Sequence, residues 1–327
     1  MPEPLSDVTI LVPGGMHERV LGRLSDTFRL VRIERPDAVL VTDALGASVR
    51  GVASAAGANA AFIDALPKLE IVANFGVGYD GVDAKHAATR GVMVTNTPDV
   101  LTEEVADTAL GLLLNTLREF SRAERWLRDG RWVKDGPYPL SKTTLRGRKI
   151  GILGMGRIGK AIARRLEGFG VPIAYHNRRP VEGLAYPYFD TLEGLAREVD
   201  TLISIMPGGA ATEKMIGAAV FAALGADGVF INIGRGSTVD EAVLAAALAN
   251  GTILAAGLDV FAREPHVPQA LLDLPNATLL PHVGSASVHT RNAMADLVVD
   301  NLILWFSQGR PLTGVPETAP VKASPAI

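Results

Sequence analysis

Short apolar runs that end in Gly, Pro or Asn recur along most of the chain, separated by stretches of helical spacing: VTILVP, LEIVANF, VMVTN, KIGILG, VPIAYHN, TLISIMP, GVFINIG, ILAAGLDV and ATLLPHVG. A strand buried on one face alternates apolar and polar residues. These runs are mostly apolar, as strands buried on both faces are. Alternating with helices, they predict an α/β fold of doubly wound parallel sheets. At 327 residues the chain is long for one core and short for three, so two domains are expected.

Two stretches break the rhythm. In LTEEVADTALGLLLNTLREFSRAERWLRDG, Val105, Ala109, Leu112, Leu113, Leu117, Phe120 and Leu127 keep a helical spacing, with Glu103 and Glu104 in the first turn. We expect one long linking or dimerisation helix near 102–128. In SASVHTRNAMADLVVDNLILWFSQG, Met294, Leu297, Val298, Leu302 and Trp305 mark a second helix ending before Gly309. The Pro-rich tail beyond it shows no clear structure. The chain divides into residues 1–100, a central unit 101–288 and a C-terminal return 289–327.

Composition narrows the chemistry. The net charge is −3 and no Lys/Arg run occurs, so neither nucleic acid nor an anionic membrane is an expected partner. There are no cysteines, which excludes disulfides and thiolate chemistry. No basic, apolar leader opens the chain and no run is long enough to span a bilayer, so the expected location is cytoplasmic. No H-x-x-x-H pair or acidic cluster suggests a metal.

G-x-G-x-x-G occurs twice, as GVGYDG (76–81) and GMGRIG (154–159). In a chain with 34 glycines one match can arise by chance, so context decides. KIGILGMGRIGKAIARRLEGFG gives a strand, the turn and an amphipathic helix, and VPIAYHN completes a βαβ unit. Gly154 permits the turn, Gly156 lets the backbone approach a pyrophosphate, and Gly159 allows close helix–strand packing. The first fingerprint is followed by a short helix and no ribose ligand. It suits a small anion held on backbone N–H groups.

Three later strands end in polar residues: GVFINIGRG delivers Arg235, ILAAGLDVFAREP delivers Asp259 and Glu264, and ATLLPHVGSAS delivers His282. In an open parallel sheet these ends share the edge that holds the dinucleotide. A guanidinium can bind a carboxylate and polarise the adjacent carbonyl, while a histidine protonates the carbonyl oxygen as hydride reaches carbon. A glutamate beside the histidine favours the imidazolium. The set reads as a reductase site for a 2-oxo acid.

NFGVGYDGVD, TPDVLTEEVADTALGLLL, GILGMGRIGKAIARRL, NIGRGSTVDEAVL, AAGLDVFAREP and LLPHVGSASVHTR together resemble the D-isomer-specific 2-hydroxyacid dehydrogenase family over essentially the whole chain, nearest its glyoxylate/hydroxypyruvate reductases. The resemblance implies a flavodoxin-like, discontinuous substrate domain from both chain ends, a central Rossmann domain, a cleft between them and a homodimer. It makes Arg235 the substrate-binding residue, His282 the acid/base and Glu264 its partner. Val77 and Gly78 would bind the substrate carboxylate through their amides. Thr108, Arg157, Ile158, Pro207, Ile233, Asp259 and Ser285 fall at positions lining the cofactor. Trp132 matches a region from which some relatives reach into the partner's active site.

One departure is informative. NAD-using relatives carry an acid after the strand VPIAYHN, where this chain has Asn177, Arg178 and Arg179. Neutral and cationic donors suit the 2′-phosphate of NADP, so NADPH is expected over NADH. The expected activity is reduction of glyoxylate to glycolate and of hydroxypyruvate to D-glycerate. Two alternatives stand beside it: a reductase of larger 2-oxo acids such as phenylpyruvate, and a dinucleotide-sensing module that binds a protein partner.

Overall fold

The computed structural model describes residues 4–322. Residues 1–3, which open the N-terminal stretch, and 323–327, which end the Pro-rich tail, lie outside the described residues. Two compact units form. One is built from the chain up to Leu101 and from Ser287 onward, the other from Thr102–Ala286.

In the first unit, β1 (Thr9–Pro13), β2 (Arg29–Ile33), β3 (Val49–Ser54), β4 (Ile71–Asn74) and β5 (Met93–Thr95) form a parallel sheet in the order β2-β1-β3-β4-β5. That is the flavodoxin-like order. The apolar runs of β1 and β4 are buried at every position, as their composition requires. Helix Val288–Gln308 returns to this sheet and buries Met294, Ala295, Val298, Val299, Leu302 and Trp305. Its stripe and its stop at Gly309 match the sequence pattern. The tail differs from expectation. Val315 N donates to Val94 O at 2.9 Å, and the buried Thr318 hydroxyl accepts from Val94 N at 3.1 Å, so the segment after Gly309 straps onto β5.

In the second unit, β6 (Ile150–Leu153), β7 (Ile173–His176), β8 (Tyr188–Phe189), β9 (Thr201–Ser204), β10 (Val229–Asn232), β11 (Ala255–Leu258) and β12 (Ala277–Leu279) pair in parallel as β12-β11-β10-β9-β6-β7-β8. This is the Rossmann order extended by one strand. The chain reverses direction across the sheet at β6, and the crevice beyond that strand's C-terminal end is where such sheets take ligands. No described helix is long and apolar enough to cross a membrane.

The expected single helix near 102–128 is broken. Helix Thr102–Arg118 stops where Glu119 turns left-handed at φ 55°, and Phe120–Arg128 and Arg131–Asp135 follow as separate helices. Local hydrogen bonds stabilise the break. Asn115 Oδ1 accepts from Ser121 N at 2.9 Å, and the Glu119 carboxylate accepts from Arg122 at 2.9 Å and from the Tyr138 hydroxyl at 2.6 Å. Apolar spacing continues across a single left-handed residue, so periodicity cannot register it.

The opposite edge of the Rossmann unit hangs on Arg148, 7% exposed. Its guanidinium donates to Thr201 Oγ1 at 2.6 Å, Thr143 Oγ1 at 2.8 Å, Asp200 O at 2.5 Å and Asp227 O at 2.6 Å, and pairs with the Asp200 carboxylate at 3.0 Å. Burial pulls its pKa below the usual arginine value against the raising influence of Asp200 and Asp227. Arg148→Met strands these acceptors. We predict a loss of about 3–5 kcal/mol, read as a lower urea midpoint, with Arg148→Lys recovering only part of it.

Candidate active site

Arg235 lies just past β10 in a loop that its neighbours hold firmly. Asn232, 1% exposed, accepts from Gly234 N at 3.1 Å and donates to Arg235 O at 3.0 Å, and Thr238 Oγ1 donates to the same carbonyl at 2.7 Å. A Cβ on Gly236 would collide with the backbone of Phe261, so the Arg235 loop lies directly on the loop after β11. Arg235 Nη1 donates to Gly234 O at 2.8 Å.

Asp259, the first residue beyond β11, is 1% exposed. Its Oδ1 accepts from Val283 N at 2.7 Å and its Oδ2 from Gly284 N at 2.8 Å, while His282 N donates to Asp259 O at 2.8 Å. These bonds hold His282 at φ 53°, a left-handed conformation that costs an L-residue about 1–2 kcal/mol. Burial pushes the Asp259 carboxyl above its ordinary value, opposed by the two amide donors. The sequence reading places Asp259 on the cofactor. Here its carboxylate is taken up by the loop that carries the histidine.

His282 Nδ1 lies 2.7 Å from Glu264 Oε2, and Glu264 Oε1 accepts from Phe261 N at 2.9 Å. Burial alone would raise the Glu264 pKa. The His282 hydrogen bond, the Phe261 amide and the charges of His282 and Arg235 outweigh it and hold the carboxyl below the usual range. An ionised carboxylate only accepts, so Nδ1 carries the hydrogen of this bond. Nε2 makes no hydrogen bond among the described residues. The structure thus gathers Arg235, Glu264 and His282 on one sheet edge, with Nε2 as the nitrogen left for proton transfer.

The loop after β6 fits a dinucleotide. Gly154 takes φ 98°, which favours glycine, and a Cβ on Gly159 would strike Gly154 O. Gly156 has open space around its Cα and opens helix Arg157–Glu167 without a side-chain cap, leaving the positive helix end available to phosphate. Arg157 is exposed and Ile158 half-buried. Thr108 Oγ1 donates to Gly284 O at 3.2 Å, which ties helix Thr102–Arg118 to the histidine loop. Ile233 and Ser285 are buried and Pro207 is exposed.

Arg178 and Arg179 stand exposed after β7 in an anchored loop, where Val181 N donates to the Tyr175 hydroxyl at 2.9 Å. Asn177 has a second task beside the expected one. Its side-chain oxygen accepts from Met155 N at 2.7 Å, binding the glycine turn to the end of β7. Only its amide nitrogen can offer donors to a ligand. In the other unit Val77 and Gly78 follow β4, and their N–H groups make no hydrogen bond among the described residues. Trp132 sits exposed on helix Arg131–Asp135.

Sequence reasoning missed Asn74, Asn96 and Asn232. Each is a polar residue at or just past the end of an apolar strand, and two of them precede a glycine loop. That pattern is the signal that could have found them.

The family model described as D-isomer specific 2-hydroxyacid dehydrogenase, NAD binding domain, matches residues 110–284. The chain is 45% identical over 314 residues to glyoxylate/hydroxypyruvate reductase A of Arabidopsis thaliana, covering 95% of this chain and 100% of the relative. It is 50% identical over 267 residues to hydroxyphenylpyruvate reductase of Plectranthus scutellarioides, covering 81% of this chain and 84% of that one. A crystal structure of the NADPH-dependent glyoxylate/hydroxypyruvate reductase of Sinorhizobium meliloti, in complex with NADP and malonate, is 62% identical with a TM-score of 0.95, covering 98% of this chain and 100% of that one. The chain belongs to the D-isomer-specific 2-hydroxyacid dehydrogenase family.

Proposed function

We propose that this protein is an NADPH-dependent reductase that converts glyoxylate to glycolate and hydroxypyruvate to D-glycerate. The observation that carries the reading is the 2.7 Å pair of His282 and Glu264 on the sheet edge that also presents Arg235. NADPH, when bound, supplies the hydride. Arg235 receives the substrate carboxylate and polarises the neighbouring carbonyl. Nε2 of the imidazolium gives its proton to the oxygen as the carbon is reduced, and Glu264 holds the ring in the required tautomer. The amides of Val77 and Gly78 also bind the carboxylate.

Arg178 and Arg179 meet the 2′-phosphate, assisted by the amide nitrogen of Asn177. The Sinorhizobium meliloti relative, solved with NADP, supports this choice. We further propose a cytoplasmic homodimer. Phe120, Leu127, Trp132, Val133 and Leu140 are all exposed within one short segment, the kind of apolar surface that a partner covers. A chain without cysteine suits a reducing compartment.

A matrix of initial rates tests the reading: NADPH against NADH for glyoxylate, hydroxypyruvate, pyruvate and phenylpyruvate. We expect kcat/KM to be highest for NADPH with the two small acids. Preference for phenylpyruvate would replace the substrate assignment, and absence of turnover would leave only a dinucleotide sensor. Arg178→Ala combined with Arg179→Ala should raise KM for NADPH about tenfold or more, by loss of charge-assisted contacts, and leave KM for NADH nearly unchanged. Equal effects on both would remove the pair from cofactor choice.

The low Glu264 pKa carries a further prediction. A carboxyl depressed on folding contributes stability above its unfolded value and loses it as pH falls through the lower folded value. In a carboxyl-carbon NMR titration, His282→Ala should move the Glu264 midpoint upward, since the strongest lowering partner is gone. An unmoved midpoint would show that the pair does not set this carboxyl's charge.

A further inference from the structure

The glycine loop after β4 has every one of its three carbonyls held. Asn74, the last residue of β4 and 6% exposed, donates Nδ2 to Gly76 O at 3.1 Å and to Gly78 O at 3.0 Å. Thr97 N donates to Gly76 O at 2.9 Å. Asn96 donates Nδ2 to Val77 O at 2.8 Å. A trans peptide is planar and points its N–H opposite to its C=O. Fixing the carbonyls of Gly76 and Val77 therefore fixes the N–H groups of Val77 and Gly78 on the other side, the arrangement of an anion-binding nest.

Asn96 is braced in turn by the C-terminal strap. Thr313 Oγ1 donates to Asn96 O at 2.6 Å, and Asn96 N donates to Thr313 O at 3.3 Å. Thr313 hangs on Asn301, which is fully buried in helix Val288–Gln308. Asn301 Oδ1 accepts from Leu312 N at 2.9 Å and Thr313 N at 3.0 Å, and Asn301 Nδ2 donates to Thr313 Oγ1 at 2.9 Å. A continuous hydrogen-bonded chain runs from the return helix through the strap to the carbonyl of Val77.

We infer that Asn74 and Asn96 are positioning residues for carboxylate recognition: they orient the amides of Val77 and Gly78, and the strap, through Thr313, holds Asn96 in register. The inference rests on the reading that this loop takes the carboxylate of the 2-oxo acid. A loop braced only for stability would need no common orientation of its amides. Here each donor acts on a carbonyl of residues 76–78, and of their amides those of Val77 and Gly78 make no hydrogen bond among the described residues, while Gly76 N donates to Asn74 O at 3.1 Å. The strap thereby becomes part of substrate recognition.

Asn96→Asp keeps the size of the side chain, removes the donor and sets a negative charge against Val77 O. Thr313→Val removes the hydroxyl that holds Asn96 while keeping the shape, and serves if the first variant folds poorly. In the full-length enzyme we expect either change to raise KM for glyoxylate and hydroxypyruvate about tenfold, with kcat within about twofold and KM for NADPH unchanged, whatever the fall in Tm. A purely structural role would lower Tm and leave KM for the two acids unchanged, or move kcat and both KM values together, and would overturn the inference.

Backbone amide NMR with oxalate separates the two layers. If the Val77 and Gly78 resonances of the unmodified protein shift with oxalate and those of Asn96→Asp do so only at about tenfold higher concentration, the positioning role stands. If both proteins respond at the same concentration, the positioning role is wrong and the carboxylate reading survives. If the unmodified protein gives no response while turning over glyoxylate, the carboxylate reading of this loop fails, and the inference with it.

Discussion

The carboxylate of Asp259 receives the amides of Val283 and Gly284, and the backbone carbonyl of the same residue receives the amide of His282. Everything proposed for the chemistry depends on this clamp. It holds His282 in a left-handed conformation that an unsupported loop would relax, and it does so from a buried strand end that cannot move without disturbing the sheet. With the backbone fixed, Glu264 has only to orient the ring. Its carboxylate, itself anchored by Phe261 N, dictates which imidazole nitrogen carries the shared hydrogen.

The same device recurs in both units. Asn74 closes β4, Asn232 closes β10, and Asp259 follows β11, and each is almost fully buried. Each side chain reaches forward to hold the loop that follows its own strand or the loop beside it. Asn74 sets the carbonyls of the Val77 loop, Asn232 sets the Arg235 loop, and Asp259 sets the His282 loop. Within each sheet, parallel strands place such ends on one edge. A rigid edge with polar strand ends thus positions functional groups that come from distant parts of the sequence.

Much of this was legible in the sequence because burial on both faces leaves a strong mark on composition. The runs at β1, β4, β6, β9 and β10 announce themselves, and so do Arg235 between two glycines and the turn GMGRIG. Strand β3 did not, although it lies between β1 and β4: Arg50 and Gly51 interrupt VRGVAS, and a Cβ on Gly51 would run into Ile10 and Leu302. Edge strands β2 and β8 are only partly buried or very short, so they lack the apolar signature. The break at Glu119 and the strap after Gly309 depend on single hydrogen bonds between residues distant in sequence or on one dihedral, which no periodicity encodes. Asn177 stands where NAD-using relatives carry an acid, which marks it as a ligand donor through its amide nitrogen; that its oxygen also ties the glycine turn to β7 is a tertiary contact that no local pattern encodes.

In the mechanism proposed above, His282 transfers the proton that completes reduction of the 2-oxo acid. Its most direct test is steady-state turnover of glyoxylate with NADPH by His282→Ala, alongside NADPH binding by fluorescence. We expect kcat to fall by about 10²–10⁴-fold with NADPH affinity preserved. Near-normal turnover by a variant that binds NADPH normally would contradict it.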